Sequence, residues 1–234
     1  MNDLTAAFGL AFQLLIGLDA DLLEIVSLSL RVSLTAVGLA ALIGLPLGAA
    51  VALYRFPGRR LVAALLNAFM GLPPVVVGLL VYLILSRSGP LGVLGLLFTP
   101  GAMIIAQCLL VLPIVAALSA QTVADLNAEY DEQLRSLAAG PVQRLFTLLG
   151  DGRLGPLTAI LAGFGRAIAE VGAVMIVGGN IAHATRVMTT AIALETSKGD
   201  LALALGLGLV LIALALTINL LALALRDVAR PQYA

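Results

Sequence analysis

The chain has 234 residues, of which 61% are apolar and only 11% are charged, and its formal net charge is zero. Because a soluble domain carries about 25% charged residues, this composition excludes an ordinary soluble protein and indicates an integral membrane protein. The neutral balance gives no indication of nucleic-acid binding. Cys108 is the single cysteine and His183 the single histidine. Neither has neighbours at the spacing of a disulfide or a metal site.

The first 24 residues contain an apolar run that is short for a membrane span. This run, residues 4–18, has about 15 residues, whereas a spanning helix needs about 20. A signal peptide typically has lysine or arginine before its apolar run, and none precedes this one. We therefore interpret residues 1–24 as an N-terminal interfacial helix or segment. Residues 25–226 form one transmembrane domain, and residues 227–234 form a cytoplasmic tail.

Five apolar segments within residues 25–226 are long enough to cross a bilayer as helices. They are residues 27–54, 61–85, 102–120, 156–177 and 201–225. The second of them contains Pro73 and Pro74 at mid-depth, which remove two backbone donors and should break the helix. In lipid such a break is tolerated only against protein or a water-filled cavity. The two prolines therefore either line a pathway or mark a packing kink.

The distribution of basic residues between the connecting segments predicts the orientation of the bundle. Eight arginines fall on one side: Arg55, Arg59, Arg60, Arg135, Arg144, Arg153, Arg226 and Arg230. The other side holds three basic residues: Arg87, Arg186 and Lys198. Because cytoplasmic loops carry the excess of arginine and lysine, the first side should be cytoplasmic. The N-terminus is then outside the cell and the C-terminus inside.

Residues 129–150 form the longest polar interruption of the chain. Acidic residues come first and basic ones later, which is the order that a helix dipole favours. Apolar residues recur at helical spacing on both sides of residues 138–141. The pattern predicts two short amphipathic helices with a break between them. An ordinary pair of interfacial helices would give the same pattern.

Residues 129–150 resemble the cytoplasmic loop that the permeases of ATP-binding-cassette (ABC) importers present to their ATPase, and we call them the coupling loop. The resemblance rests on Glu132, Arg135, Ser136, Leu137, Ala138, Ala139 and Phe146, and it implies that these residues, with Gly140, dock into a cleft on the ATPase. The chain departs from the pattern at Gln133 and Leu134, which replace two alanines, and at Ala138, which replaces a glycine. The left-handed turn residue that glycine normally supplies is then either Ala138 itself or Gly140, before Pro141.

Arg166 and Glu170 are the one ionisable pair deep inside a predicted span. Four residues separate them, so a continuous helix would place both on one face. Because a lone charge at that depth is expensive, we expect the two to neutralise each other. The pair is then either a gate or pathway element, or a buried structural pair that fixes helix packing. A direct anion-binding role for Arg166 is less favoured, because a neutralised pair attracts an anion little.

Two further stretches resemble the permeases for molybdate, tungstate and sulfate. Residues 164–181 carry Arg166, a Glu-Val-Gly-Ala sequence beginning at Glu170, and a terminal Gly179-Asn180. Gly172 within that sequence is a further pathway candidate. Residues 185–200 look most like those of tungstate permeases. The resemblance implies an all-α bundle of five transmembrane helices, of the type I ABC importer kind, with a cytoplasmic coupling helix.

The same resemblance implies the partners of the chain. They are a second copy of the permease, cytoplasmic ATPase subunits that bind ATP and magnesium, and an extracytoplasmic oxyanion-binding protein, all at the inner membrane of a prokaryote. The chain has no Walker glycine loop, so ATP hydrolysis is expected of a partner, and we expect no cofactor on this chain. The substrate is expected to be tungstate, with molybdate or sulfate as alternatives. An ATP-independent channel or carrier is the competing class, although no clear internal repeat supports a carrier.

Overall fold

The computed structural model describes residues 2–152 and 154–229, in which all regular structure is helical. Arg153 and Arg230, two of the arginines used to orient the bundle, lie outside these residues. The helices are α1 Asn2–Ile16, α2 Ala20–Leu53, α3 Arg59–Phe69, α4 Pro74–Leu85, α5 Pro100–Ser136, α6 Pro141–Asp151, α7 Leu154–Ile168, α8 Gly172–Gly178, α9 Met188–Lys198 and α10 Leu201–Ala229. A short 3₁₀ turn, Gly92–Leu94, precedes α5.

Three of the described helices, α2, α5 and α10, are each long and apolar enough to cross a membrane. Two bent pairs meet the same criterion together: α3 with α4, which meet at 104°, and α7 with α8, which meet at 60°. The chain is therefore an all-α membrane bundle, as predicted, and it has up to five spans if each bent pair counts as one. The predicted break at Pro73 and Pro74 is confirmed, because α3 ends before them and Pro74 opens α4.

Several element boundaries differ from those predicted. Helix α2 begins at Ala20 rather than at residue 27, because the Asp19 carboxylate accepts hydrogen bonds from the backbone N–H groups of Asp21 and Leu22 and so caps the helix. The predicted fourth span is broken at residues 169–171, which its sequence did not indicate. The interfacial position of residues 1–24 stays a prediction, although α1 is helical as expected.

The described chain divides into two compact units. The first takes the chain up to residue 36, together with residues 73–107 and 166–218, and the second takes residues 37–72, 108–165 and those from 219 onward. Helices α2, α5, α7 and α10 each contribute residues to both units. In the first unit, α4 and α8 pack closely, since a Cβ on Gly78 would come 2.7 Å from the Ala173 Cα. Small residues permit such close approach of helices in membranes.

In the second unit, α2 lies against α5 with similarly little space. A Cβ on Gly48 would come 2.2 Å from the backbone oxygen of Ala116. Nearby, the Ser119 hydroxyl donates a hydrogen bond of 3.0 Å to the backbone oxygen of Leu45. A polar bond and a small-residue contact together hold two membrane helices without any hydrophobic driving force between them.

Replacing Gly48 by alanine should therefore destabilise the protein. The added methyl group cannot be accommodated without moving two helix backbones apart, and overpacking of this kind costs roughly 1–3 kcal/mol. Gly38→Ala is the matched control, because Gly38 lies on the same helix with no atom within 4 Å of an added Cβ. Thermal unfolding of the purified protein in detergent micelles measures the difference. Equal melting temperatures for the two variants would contradict the close approach of α2 and α5.

Candidate functional site

The coupling loop is the end of one long helix followed by a short one. Helix α5 continues unbroken to Ser136, and α6 spans Pro141–Asp151. The prediction that the first half of the coupling loop forms a separate short helix is therefore wrong, whereas the predicted second helix is confirmed. At 1.5 Å per residue α5 is about 55 Å long, well beyond the roughly 30 Å of a hydrocarbon core. Its C-terminal part therefore extends past a membrane span.

The turn between α5 and α6 is made by Ala138 and not by Gly140. Ala138 has φ of 50°, in the left-handed region, whereas Gly140 has φ of −66°. The Ala139 N–H donates to the Leu134 oxygen at 3.0 Å, and the Ala138 N–H donates to the Arg135 oxygen at 2.9 Å. This pair of bonds is the Schellman motif, which satisfies carbonyls at the end of a helix. It usually has glycine at the position that Ala138 occupies.

Gly140 and the two residues that follow it start the second helix. The Gln143 side-chain oxygen accepts a hydrogen bond of 3.0 Å from the Gly140 N–H, which is half of a capping box. Pro141 occupies the first helical position, where its missing N–H costs nothing. The signals for α6 were thus present in the sequence, but the long-range continuation of α5 was not evident from the polar composition.

The two helices bury one side and expose the other. Leu134 and Leu148 are buried, 6% and 1% exposed, in a cluster with Ala49, Ala52 and Val123. In contrast, Leu137 is 77% exposed and Phe146 is 69% exposed. The predicted docking residues Glu132, Arg135, Ser136, Leu137, Ala138 and Phe146 are exposed, and Ala139 and Gly140 are partly buried. The loop therefore presents apolar side chains that no described residue covers.

Asp131 ties the end of α5 to α6. Its carboxylate lies 2.7 Å from Arg135 and 3.0 Å from Arg144. The spacing of Asp131 and Arg135 in one helix could have identified the first contact from the sequence. The contact with Arg144 depends on the turn, which brings the beginning of α6 back to α5.

Replacing Ala138 by glycine should stabilise the protein. An alanine in the left-handed region costs roughly 1 kcal/mol that glycine avoids, and glycine is the usual residue of this motif. Ala124→Gly, an exposed change within α5, is the control and should lower stability by about 1 kcal/mol, because glycine is a poor helix former. Thermal unfolding of the two variants should shift the melting temperature in opposite directions. A lower melting temperature for Ala138→Gly would contradict the left-handed turn.

The second candidate site is the break between α7 and α8. The Arg166 guanidinium donates a hydrogen bond to Glu170, so the predicted pairing is confirmed. The two residues do not share one continuous helix as expected, because α7 ends at Ile168 and Glu170 lies in the break. The Glu170 side chain is 2% exposed, whereas that of Arg166 is 31% exposed.

Glu170 has three roles in holding this break together. One carboxylate oxygen pairs with Arg166, and the other accepts a hydrogen bond of 3.0 Å from the Ala173 N–H at the beginning of α8. Its backbone oxygen accepts a bond of 2.7 Å from the Thr189 hydroxyl. With both carboxylate oxygens engaged, Glu170 neutralises Arg166 and caps a membrane helix.

Other polar side chains surround the break. The Gln107 amide nitrogen donates to the Ala167 oxygen at 3.0 Å, while its amide oxygen is buried without a partner among the described residues. Ser29, Ser33 and Thr189 line the same small cavity. Sequence reasoning missed this cluster, because Ser33 and Thr189 are far apart in the chain and each is unremarkable in its own helix.

The structure places the predicted break at Pro73 and Pro74 beside the break between α7 and α8, which the sequence did not indicate. A Cβ on Gly172, at the beginning of α8, would come 2.9 Å from the Val75 side chain, one residue after Pro74 opens α4. The two breaks thus lie side by side. One unit contains all the pathway candidates: Pro73, Pro74, Arg166, Glu170 and Gly172. Only Glu170 among them is fully buried.

Replacing Glu170 by glutamine should destabilise the protein more than the double change Arg166→Met with Glu170→Gln. The single change leaves Arg166 unpaired in a largely buried site, which costs roughly 3 kcal/mol or somewhat less given its partial exposure. Glutamine keeps an acceptor for the Ala173 N–H in both variants. The yield of folded protein from membranes, measured by size-exclusion chromatography, reports the effect. A lower yield of folded protein for the double variant than for Glu170→Gln alone would contradict mutual compensation.

A third polar group lies at the beginning of α2. The His183 ring nitrogen lies 2.8 Å from a Glu24 carboxylate oxygen, and ligand atoms of Asp21, Glu24 and His183 lie within 4.8 Å of one another. The hydrogen bond to Glu24 raises the pKa of His183. Sequence spacing gave His183 no ligating neighbours, but the fold brings Glu24 and Asp21, which are distant in the chain, beside it. All three side chains are exposed.

The described residues form three helices that are each long and apolar enough to cross a membrane, and two bent helix pairs that meet the same criterion together. This is the architecture of a multi-span membrane subunit. The chain belongs to the family of inner membrane components of binding-protein-dependent transport systems, whose family model matches residues 44–233. It is therefore a multi-pass inner-membrane permease subunit and not itself the catalytic subunit. Membership of this family also implies an ATPase and a binding protein as partners.

Individual relatives agree with this family. A probable anion ABC transporter permease protein of Haloferax volcanii is 45% identical, over 77% of this chain and 80% of its own length. A tungstate uptake system permease protein of Peptoclostridium acidaminophilum is 41% identical, over 86% of this chain and 88% of its own length. A sulfate transport system permease protein of Synechococcus elongatus is 28% identical, over 73% of this chain and 62% of its own length.

Proposed function

We propose that this chain is the permease of an ATP-driven importer for a tetrahedral oxyanion, and that the oxyanion is tungstate. The observation that carries the proposal is the 41% identity to a tungstate uptake permease over nearly the full length of both chains. A second tungstate uptake permease, from Campylobacter jejuni, is 39% identical over 64% of this chain. The sulfate permease of Synechococcus elongatus, at 28% identity, makes sulfate the weaker candidate, and molybdate remains the third.

The coupling loop is the part of the permease that we assign to ATPase docking. Leu137, in the turn, and Phe146, on α6, are exposed apolar side chains, as expected of anchors that enter a groove on a partner. Glu132 and Arg135 flank them as charges for the rim of that groove. Burial of the two anchors by the ATPase would remove apolar surface that the described chain leaves in water.

Two features make the coupling loop suited to transmit motion. Asp131 on α5 pairs with Arg144 on α6 and also with Arg135 on its own helix, so the turn can move as one piece. Helix α5 is continuous from Pro100 to Ser136, so a displacement at its docked end is carried along a rigid element. A motion driven by ATP in the partner would in this way reach the membrane spans.

The orientation and the assembly complete the proposal. The excess of arginines on the side of the coupling loop supports an internal loop, an external N-terminus and an internal C-terminus. We assign two copies of this chain to each transporter, with the translocation pathway between them. The paired breaks near Pro74 and Gly172 are candidates for that pathway, because irregular backbone at membrane depth requires a protein or aqueous environment. Arg166 and Glu170 would then hold the break closed rather than bind the anion.

Replacing Leu137 by aspartate should leave the permease folded but weaken its hold on the ATPase. A charge in place of an apolar anchor forfeits roughly 2 kcal/mol or more of binding, and it is tolerated in the free permease because Leu137 is exposed. Co-purification of the ATPase and stimulated ATP hydrolysis measure the loss. Ala128→Asp adds the same charge to an exposed position of α5 outside the turn and serves as the control. Normal coupling in Leu137→Asp would place the docking site elsewhere.

The oxyanion is identified by the same reconstituted transporter with its binding protein. We expect tungstate to stimulate ATP hydrolysis and to be taken up into proteoliposomes at concentrations at which sulfate has no effect. Molybdate, which has the same charge and shape as tungstate, is the stringent competitor. Uptake of sulfate in preference to both would contradict the assignment, and uptake without ATP would favour a channel or carrier.

A further inference from the structure

A cavity of about 420 Å³ opens beside the coupling loop, within the second unit. It is lined by Leu53, Tyr54, Arg55, Asn127, Asp131, Arg135, Ala139, Pro141 and Arg144. We propose that this cavity binds a tetrahedral oxyanion group, carried either by the phosphate headgroup of an anionic lipid or by a free dianion. Two of its lining residues, Arg135 and Ala139, are also docking candidates, whereas none of the pathway candidates lines it. The proposal does not depend on the transported substrate.

The charge of the cavity favours an anion. Three arginines and one carboxylate line it, so three positive charges less one negative charge leave a net charge of +2. Asp131 accounts for one contact each with Arg135 and Arg144. Arg55 has no hydrogen-bond or ion-pair partner among the described residues. Because like charges gathered at one cavity repel one another, an anion that enters it relieves the excess.

The donors of the cavity suit an oxyanion in number and shape. A guanidinium has five N–H donors, and Asp131 contacts one terminal nitrogen of each of its two arginines. The remaining donors, with those of Arg55, can form the paired hydrogen bonds that arginine makes to phosphate-like groups. Of the two arginines that pair with Asp131, Arg144 is the more enclosed, with 22% of its side chain exposed against 71% for Arg135.

Asn127 adds an uncharged polar side chain to the wall. Its amide oxygen is buried and has no hydrogen-bond partner among the described residues, so nothing within the described protein accounts for a polar group at this position. An oxyanion cannot bond to this oxygen, since both are acceptors, but a water molecule that hydrates the anion can donate to it. This observation is independent of the arginine cluster.

Size and location decide which sources of oxyanion are plausible. The volume is many times the roughly 30 Å³ of one water in the liquid, so an oxyanion fits with several waters. Leu53 is the last residue of the spanning helix α2, so the cavity lies where a membrane span ends. Leu53, Ala139 and Pro141 also give it an apolar wall. Basic pockets at the ends of membrane helices are places where anionic lipid headgroups bind.

A ligand in this cavity would join parts of the chain that are otherwise linked only by packing. Arg55 follows α2, whereas Arg144 lies on α6. An oxyanion held by both would act as a noncovalent bridge between the end of a span and the coupling loop. It would therefore help to hold the coupling loop in place.

The test uses the purified full-length permease without any partner. In the first arm, native mass spectrometry counts the retention of phosphatidylglycerol against phosphatidylcholine. In the second arm, melting temperature is measured with rising phosphate or tungstate against chloride at equal ionic strength. The informative variant is Arg55→Gln, because Arg55 has no partner to lose among the described residues. Its control is Arg60→Gln, which removes the same charge from an exposed arginine nearby that does not line the cavity.

We expect Arg55→Gln to weaken anion binding about tenfold, as the loss of a charge-assisted hydrogen bond implies, and Arg60→Gln to leave it unchanged. Selective retention of phosphatidylglycerol identifies a lipid site, and a melting shift with phosphate or tungstate alone identifies a site for free dianions. Failure in both arms overturns the proposal, as does equal loss in the two variants, which would indicate diffuse surface charge. Because no ATPase is present, failure of the proposed docking would not affect either result.

Discussion

The constraint on which this structure depends is that hydrocarbon offers no partner for an open backbone. Two membrane spans are nevertheless interrupted, one at Pro73 and the other beside Glu170. At the second interruption the protein supplies the hydrogen-bond partners that lipid lacks. The Glu170 carboxylate accepts a bond from the Ala173 N–H, and the Thr189 hydroxyl donates to the Glu170 backbone oxygen. Gly78 lets the helices that follow the two breaks touch. The breaks are thus tolerated because they are packed against protein.

The coupling loop follows a different logic, since it lies where water is available. Its inner side is fixed by Leu134, Leu148 and the two contacts of Asp131, while its outer side exposes Leu137 and Phe146. A rigid base with an apolar outer face is unfavourable in an isolated subunit and suitable for an interface. The left-handed Ala138 adds a small local strain at the same place. The free subunit is therefore less stable at the coupling loop, which is where we expect the ATPase to bind.

Much of the candidate site could be predicted from the sequence because its signals are local. The spacing of Arg166 and Glu170 predicted their contact, and the turn residues before Pro141 predicted α6. The choice between Ala138 and Gly140 could not be made, because either residue can occupy the turn and only the backbone geometry of the assembled helices selects one. The contact of Asp131 with Arg144 depends on that turn, and the contact of His183 with Glu24 joins residues far apart in the chain.

The sequence by itself determined the class of the protein, because its apolar composition requires a membrane. Its hydrophobic segments also predicted the spans, although whether each bent pair counts as one span is a matter of their structure. Both follow from transfer of side chains and backbone into lipid, which depends on short stretches of chain. Tertiary structure alone decided where α5 ends, that the breaks at Pro74 and Gly172 meet, and that Arg55 shares a cavity with Arg144. These outcomes rest on which helices touch, and small residues such as Gly48 and Gly78 permit the contacts without identifying their partners.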